Sequence, residues 1–307
     1  MNAAVRSALL VLLASLTPLV APGVRVTPEI PVSASPAPSA LPVSASSAAS
    51  AVAVSAAPAP SAVAVTGEWV ARQAQDRDTG RDSRADMRLT LYDRHGRARQ
   101  RRLTMVAKKG VKAEGDKVLI RFTYPDDIKG TGFLVWEHPS SEDERFLFLP
   151  SLGRVRRIAG AEAQESFVGT DFTYEDIGGR EFDDYTYALL DDNASWRAPD
   201  GASHPAYRLE SRRKDASVRF PRVVSLITKG SFVIAAAEVF NRRNDREKVY
   251  TVGRLEQVSG IWTALEAEMA NALDRTRTTL KIDRIEYNVG LGEAEFTRRK
   301  LEEAATR

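Results

Sequence analysis

The sequence predicts a mainly β protein built on an antiparallel sheet. Three observations predict it. Beyond Gly80, apolar residues recur with a period of two. Short turns rich in Asp, Glu and Gly join the alternating runs. Two further runs, Phe133-Leu134-Val135-Trp136 and Phe146-Leu147-Phe148-Leu149, are apolar at every position, as strands covered on both faces are.

The elements follow in chain order. Residues 1–23 read as a secretory signal peptide: Arg6 precedes an apolar run, Ala8 to Leu16, too short to span a bilayer. Pro22 obscures the cleavage site, so an uncleaved anchor stays as the alternative. Residues 24–66 are almost entirely Ala, Val, Ser and Pro. With no aromatic to bury and repeated prolines, they read as an extended linker. Residues 67–307 form the globular domain. It opens with a short helix from Gly67 to Asp78, with Thr66 as N-cap and Trp69 on the apolar side.

Strands come next. Met87, Leu89 and Leu91 alternate with polar residues, and the Asp93–Gly96 turn returns the chain into Leu103, Met105 and Ala107. A turn at Glu114-Gly115-Asp116 leads into Val118, Ile120 and Phe122. The two doubly apolar strands follow, and each needs a core on one side and a helix, loop or apolar ligand on the other. Later strands fall at Tyr185–Leu190, Ala206–Glu210, Val218–Ile227, Phe232–Phe240, Val249–Val258, Ile261–Met269 and Arg275–Tyr287, with a tight turn at Lys229-Gly230. Thr297 to Ala305 reads as a closing helix.

Composition limits the chemistry. Cysteine is absent, which removes disulfides, thiolate metal sites, Cys nucleophiles and any acyl anchor on the chain itself. Forty-four basic residues against 41 acidic ones leave a net charge of +3. The basic run Arg97, Arg99, Arg101, Arg102, Lys108 and Lys109 reads as a solvated hairpin face or as a patch for anionic headgroups or a partner. His95, His138 and His204 lack metal-ligand spacing, and neither a nucleophile elbow nor a phosphate-cradling glycine loop occurs. The sequence therefore gives no support for an enzyme, and predicts no metal or cofactor.

The richest stretch contains three blocks: Tyr124-Pro125-Asp126-Asp127-Ile128-Lys129-Gly130-Thr131-Gly132-Phe133-Leu134, then Phe146-Leu147-Phe148-Leu149-Pro150-Ser151-Leu152-Gly153-Arg154-Val155-Arg156-Arg157-Ile158, then Ser166-Phe167-Val168-Gly169-Thr170-Asp171-Phe172-Thr173-Tyr174-Glu175-Asp176. In this order they resemble the outer-membrane lipoprotein-sorting protein family, the branch related to LolA. The weaker resemblance extends from Trp69 to Leu301. It implies an open, curved antiparallel half-barrel with helices plugging its concave side, an acyl-binding cavity between them, and a periplasmic location. It also implies an acylated lipid or lipoprotein as cargo, an inner-membrane exporter of the resistance-nodulation-division class as partner, and an outer-membrane acceptor.

On that basis Phe133, Val135, Trp136, Phe146, Phe148, Phe167, Phe172 and Tyr174 are the expected lining of a lipid cavity, or else ordinary core. Arg154, Arg156 and Arg157 are expected at its mouth, meeting Asp171, Glu175 or Asp176 in ion pairs, or a headgroup. Two functions follow: a carrier working without catalysis, or a docking subunit of an exporter whose cavity its own side chains fill. A periplasmic hydrolase is the third and least supported.

Overall fold

The computed structural model of the protein describes residues 64–111, 114–139 and 141–303. The signal segment and nearly all of the linker lie outside the described residues. Among those described, thirteen strands form one antiparallel sheet. Helix α1 (Gly67–Asp76) leads into β1 (Asp82–Tyr92), β2 (Ala98–Lys108), β3 (Lys117–Tyr124), β4 (Gly132–Trp136), β5 (Glu144–Leu149) and β6 (Arg154–Ile158). After a connection holding α2 (Tyr174–Gly178) come β7 (Tyr185–Arg197), β8 (Ser203–Arg213), β9 (Arg222–Thr228), β10 (Ile234–Phe240), β11 (Arg246–Val258), β12 (Ile261–Asn271), β13 (Thr276–Tyr287) and α3 (Arg298–Glu302).

Each strand pairs with its sequence neighbour except at one place. The order is β6-β5-β4-β3-β2-β1-β13-β12-β11-β10-β9-β8-β7, so β1 closes on β13 and the sheet stays open between β6 and β7. The predicted mainly β, open antiparallel fold is what the chain adopts. Boundaries moved where local chemistry demanded. Bulges around Leu189–Asp191 and Asp191–Ala194 carry β7 past the expected end at Leu190 to Arg197. Pro221, which lacks an N–H for a ladder, delays β9 to Arg222. Residues 154–158, whose arginines were expected at a cavity mouth, form the edge strand β6.

The connection between the two edges, residues 159–184, lies across the inner face of the sheet. Arg101 on β2 donates to the Val168 carbonyl, and Lys248 on β11 donates to the Asp171 carbonyl at 2.7 Å. Thr276 and Thr278 on β13 both donate to the Asp171 carboxylate, at 2.5 and 2.7 Å. Arg145 on β5 donates to the Gly179 carbonyl at 3.1 Å. Strands from both halves therefore hold one segment, which gives its backbone carbonyls partners inside the protein.

Helix α1 is capped by Thr66, whose hydroxyl accepts from the Trp69 N–H at 3.1 Å. Val70, Ala71 and Ala74 pack on Phe182, Tyr207, Leu209 and Ile227. Gly67 is needed for this seat: a Cβ there would stand 2.7 Å from the Leu189 nitrogen and the Tyr187 oxygen of β7.

The doubly apolar strands are covered on both faces by protein. Phe133, Val135 and Leu147 point inward and join Phe122, Phe167 and Tyr174. Leu134, Phe146 and Phe148 point outward, where Leu291, Phe296 and Leu301 of the C-terminal tail cover them. The Trp136 indole donates to the Phe296 carbonyl at 2.7 Å. Gly132 makes room for the tail, since a Cβ there would stand 2.6 Å from Leu301 Cδ1.

Candidate apolar clefts and the arginine between them

Two clefts open on the inner face, both over the β7–β12 half of the sheet. The first has Ala71 and Ala74 of α1 on one side and Tyr187, Leu209 and Ile227 on the other. The second is lined by Phe172, Val223, Ala237, Val239 and Met269. Arg180, Ser225 and Ile234 border both, so the two clefts adjoin at these residues.

Alternation explains why this face is hollow. Successive inward positions of β8–β10 are Leu209 and Ser211, then Val223, Ser225 and Ile227, then Ala237 and Val239. Small side chains at Ser211, Ser225 and Ala237 leave space that Phe and Leu fill in the other half of the sheet.

In that other half the expected cavity is filled. Phe133 lies 5.4 Å from both Phe167 and Tyr174, and Phe122 lies 5.8 Å from Phe167, ring centre to ring centre. Phe133, Val135, Phe167 and Tyr174 are thus packed together as core. Trp136, Phe146 and Phe148 belong to the outer layer under the C-terminal tail. Of the eight expected lining residues, only Phe172 borders a cleft. The alternation was correctly read, but it does not say which face of a doubly apolar strand meets protein.

The expected arginine–acid contacts are likewise redistributed. Arg156 pairs with Glu162 at 3.2 Å and Arg157 approaches Glu142 at 3.9 Å; both, like Arg154, are exposed on edge strand β6. The acids lie inside and have other partners. Asp171 accepts from Thr276 and Thr278. Glu175 accepts from Gln164 at 3.2 Å, from Tyr185 at 3.3 Å and from Arg213. Asp176 accepts from the Thr173 N–H at 2.9 Å, completing a capping box at the start of α2, and pairs with Arg180 at 2.7 Å.

This buried network sets the electrostatics of the clefts. Burial opposes the charge on Asp176, yet the combined pull of Arg180, Lys248 and the Thr173 N–H holds its pKa below the usual carboxylate range. Burial alone would lower the pKa of Arg180; Asp176, with Tyr185 and Glu175, raises it. Burial, reinforced by Glu175, pushes the Tyr185 phenol up to about 12. The pKa of Lys248 is lowered by burial, with Asp176 opposing. No group of His, Asp or Glu among the described residues has the arrangement of a metal site. Among the same residues no helix is long and apolar enough to cross a membrane.

Sequence reasoning missed Arg180, Tyr250 and the serines of the clefts. The available signal was the small-residue run Ser225 and Ala235-Ala236-Ala237 on otherwise apolar strands.

Comparisons with known proteins agree with this architecture. A family model described as "Uncharacterized protein" matches residues 114–303. No curated protein matches the chain. Among solved structures, a domain from Vibrio parahaemolyticus described as an outer membrane lipoprotein-sorting protein superposes with a TM-score of 0.69 at 27% identity, over 77% of this chain and 98% of that one. A DUF1329 family protein from Desulfovibrio piger superposes with a TM-score of 0.68 at 26% identity, over 76% and 97%. A LolA superfamily protein from Nitrosomonas europaea shares the fold at 18% identity, with a TM-score of 0.59 over 77% and 100%.

Proposed function

Because this chain belongs to the outer-membrane lipoprotein-sorting family, in its LolA-like branch, we propose that it is a periplasmic carrier. It holds an acyl chain of a lipid or lipoprotein in the apolar clefts and passes it between envelope partners without catalysis. The observation that carries this reading is the pair of adjoining clefts, walled by Leu209, Ile227, Val223 and Met269 and accessible from outside.

The physical case is simple. Moving a chain from water into such walls contributes roughly 0.8 kcal/mol per CH₂. A few methylenes suffice for useful affinity, and exchange down an affinity gradient needs no cofactor. An exporter of the resistance-nodulation-division class as donor, and an outer-membrane protein as acceptor, suit this chemistry. The N-terminal segments, read as export signal and linker, supply delivery to the envelope and reach.

The second reading, a docking subunit that carries nothing, draws on one observation: the β1–β5 half is filled by Phe122, Phe133, Phe167 and Tyr174. Native mass spectrometry of the full chain purified from its own envelope separates the two. A carrier retains acylated molecules that organic extraction releases. A chain that leaves its envelope empty, and takes up no acyl ligand when one is offered, is the docking subunit.

A further inference from the structure

Three polar atoms at the clefts have no hydrogen-bond partner among the described residues. Gln75 Oε1, Arg180 Nε and the Tyr250 hydroxyl are buried and make no hydrogen bond among the described residues, and all three residues border the clefts. Buried polar groups are normally satisfied, and an unmet one costs roughly 1–3 kcal/mol. Tyr250 is only 6% exposed, and its ring is part of the apolar wall. Arg180 is held in place by Asp176, so its Nε–H is fixed in position at the junction of the two arms.

Resting on the carrier reading, we propose that Arg180 and Tyr250 form a carbonyl-recognition point: the Arg180 Nε–H and the Tyr250 hydroxyl donate to the ester or amide carbonyl of a ligand whose apolar arms enter the two clefts. The charge balance selects a neutral acceptor. The cations Arg180, Arg213 and Lys248 are already matched by Asp176, Glu175, Asp184 and Asp171, through direct pairs or, for Lys248, through the Asp171 carbonyl. A ligand carboxylate placed here would add a buried negative charge beside Asp176, which is unfavourable. A carbonyl oxygen accepts both hydrogen bonds and brings no charge. The site thus distinguishes an acyl ester or amide from a free fatty acid and from a plain hydrocarbon.

The test is displacement of the neutral dye N-phenyl-1-naphthylamine from the full chain by methyl laurate, lauric acid or dodecane. Tyr250→Phe removes only an oxygen that lacks a partner, so the fold is retained. Arg180→Lys keeps the charge opposite Asp176 and loses the Nε–H. Methyl laurate is expected to displace the dye about tenfold more effectively than dodecane, the size of one or two hydrogen bonds, and more effectively than lauric acid. Either variant should shrink the ratio of ester to dodecane displacement several-fold. An ester-to-alkane ratio unaltered in both variants, or lauric acid as the strongest competitor, overturns the recognition point while the carrier stands. Failure of all three compounds to displace the dye overturns both.

Discussion

Asp176 and Arg180 are paired at 2.7 Å, one helical turn apart, where the two clefts meet. The aspartate also closes the α2 capping box opened by Thr173, so one carboxylate orders the helix start and positions the guanidinium. Breaking a buried pair leaves the other charge uncompensated. Asp176→Ala is therefore expected to cost about 3–5 kcal/mol in urea unfolding, well above the ~1 kcal/mol of an exposed cap. Its pKa is depressed in the folded state, so this stabilisation is fully present above about pH 3.8 and lost as pH falls through the folded value. A cost near 1 kcal/mol would mean that the pair contributes little.

Glu181 gives the opposite pH dependence. The Asp143 N–H donates to its carboxylate at 3.1 Å, and burial, then the Asp143 charge, raise its pKa to about 7, with Arg145 opposing. A raised folded pKa makes its contribution full below about pH 4.5 and lost as pH rises to about 7. Glu181→Gln, neutral throughout, is expected to flatten the decline in stability over that interval. Denaturant midpoints at several pH values measure it; parallel wild-type and variant curves would contradict the assignment.

The fit of Gly132 under Leu301 predicts a coupled pair. Leu301→Ala should cost about 2–5 kcal/mol, because the side chain is fully buried under β3–β5. Gly132→Ala should cost about 1–3 kcal/mol by overpacking against the same Cδ1. In the double variant the added methyl enters space vacated by the leucine, so the total is expected to fall short of the sum. Strict additivity in chemical denaturation would separate the two sites.

How legible the molecule was in its sequence depends on which feature is asked for. Alternation such as Met87, Leu89, Leu91 records which face of a strand is buried, and it is local, so the sheet could be read. Phe133 to Trp136 and Phe146 to Leu149 announced two covered faces, yet the cover for one face, Phe296 and Leu301, comes from the far end of the domain. No local pattern encodes that pairing. The acids Asp171, Glu175 and Asp176 were singled out, but their partners Arg180, Arg213, Lys248, Thr276 and Thr278 follow from how the 159–184 segment crosses the sheet. The hollow half was least visible, because Ser225 and Ala237 mark a space by what they lack.

That difference yields the most direct test of where cargo sits. Ala237 lines the second cleft on β10, whereas Phe148 lies on the outer face beneath the tail. Ala237→Phe adds a ring to the cleft and is expected to cost about 1–3 kcal/mol of stability, since the cleft offers part of the needed room. Acyl ligand retained in native mass spectrometry should fall steeply. Phe148→Leu should cost a comparable about 1–2 kcal/mol by loosening the outer layer, yet leave retained ligand unchanged. The two variants are matched in stability loss, so ligand loss cannot be assigned to general loosening of the fold. If Phe148→Leu empties the protein and Ala237→Phe does not, the cargo lies against β4 and β5, and the clefts of the β7–β12 half are not its site.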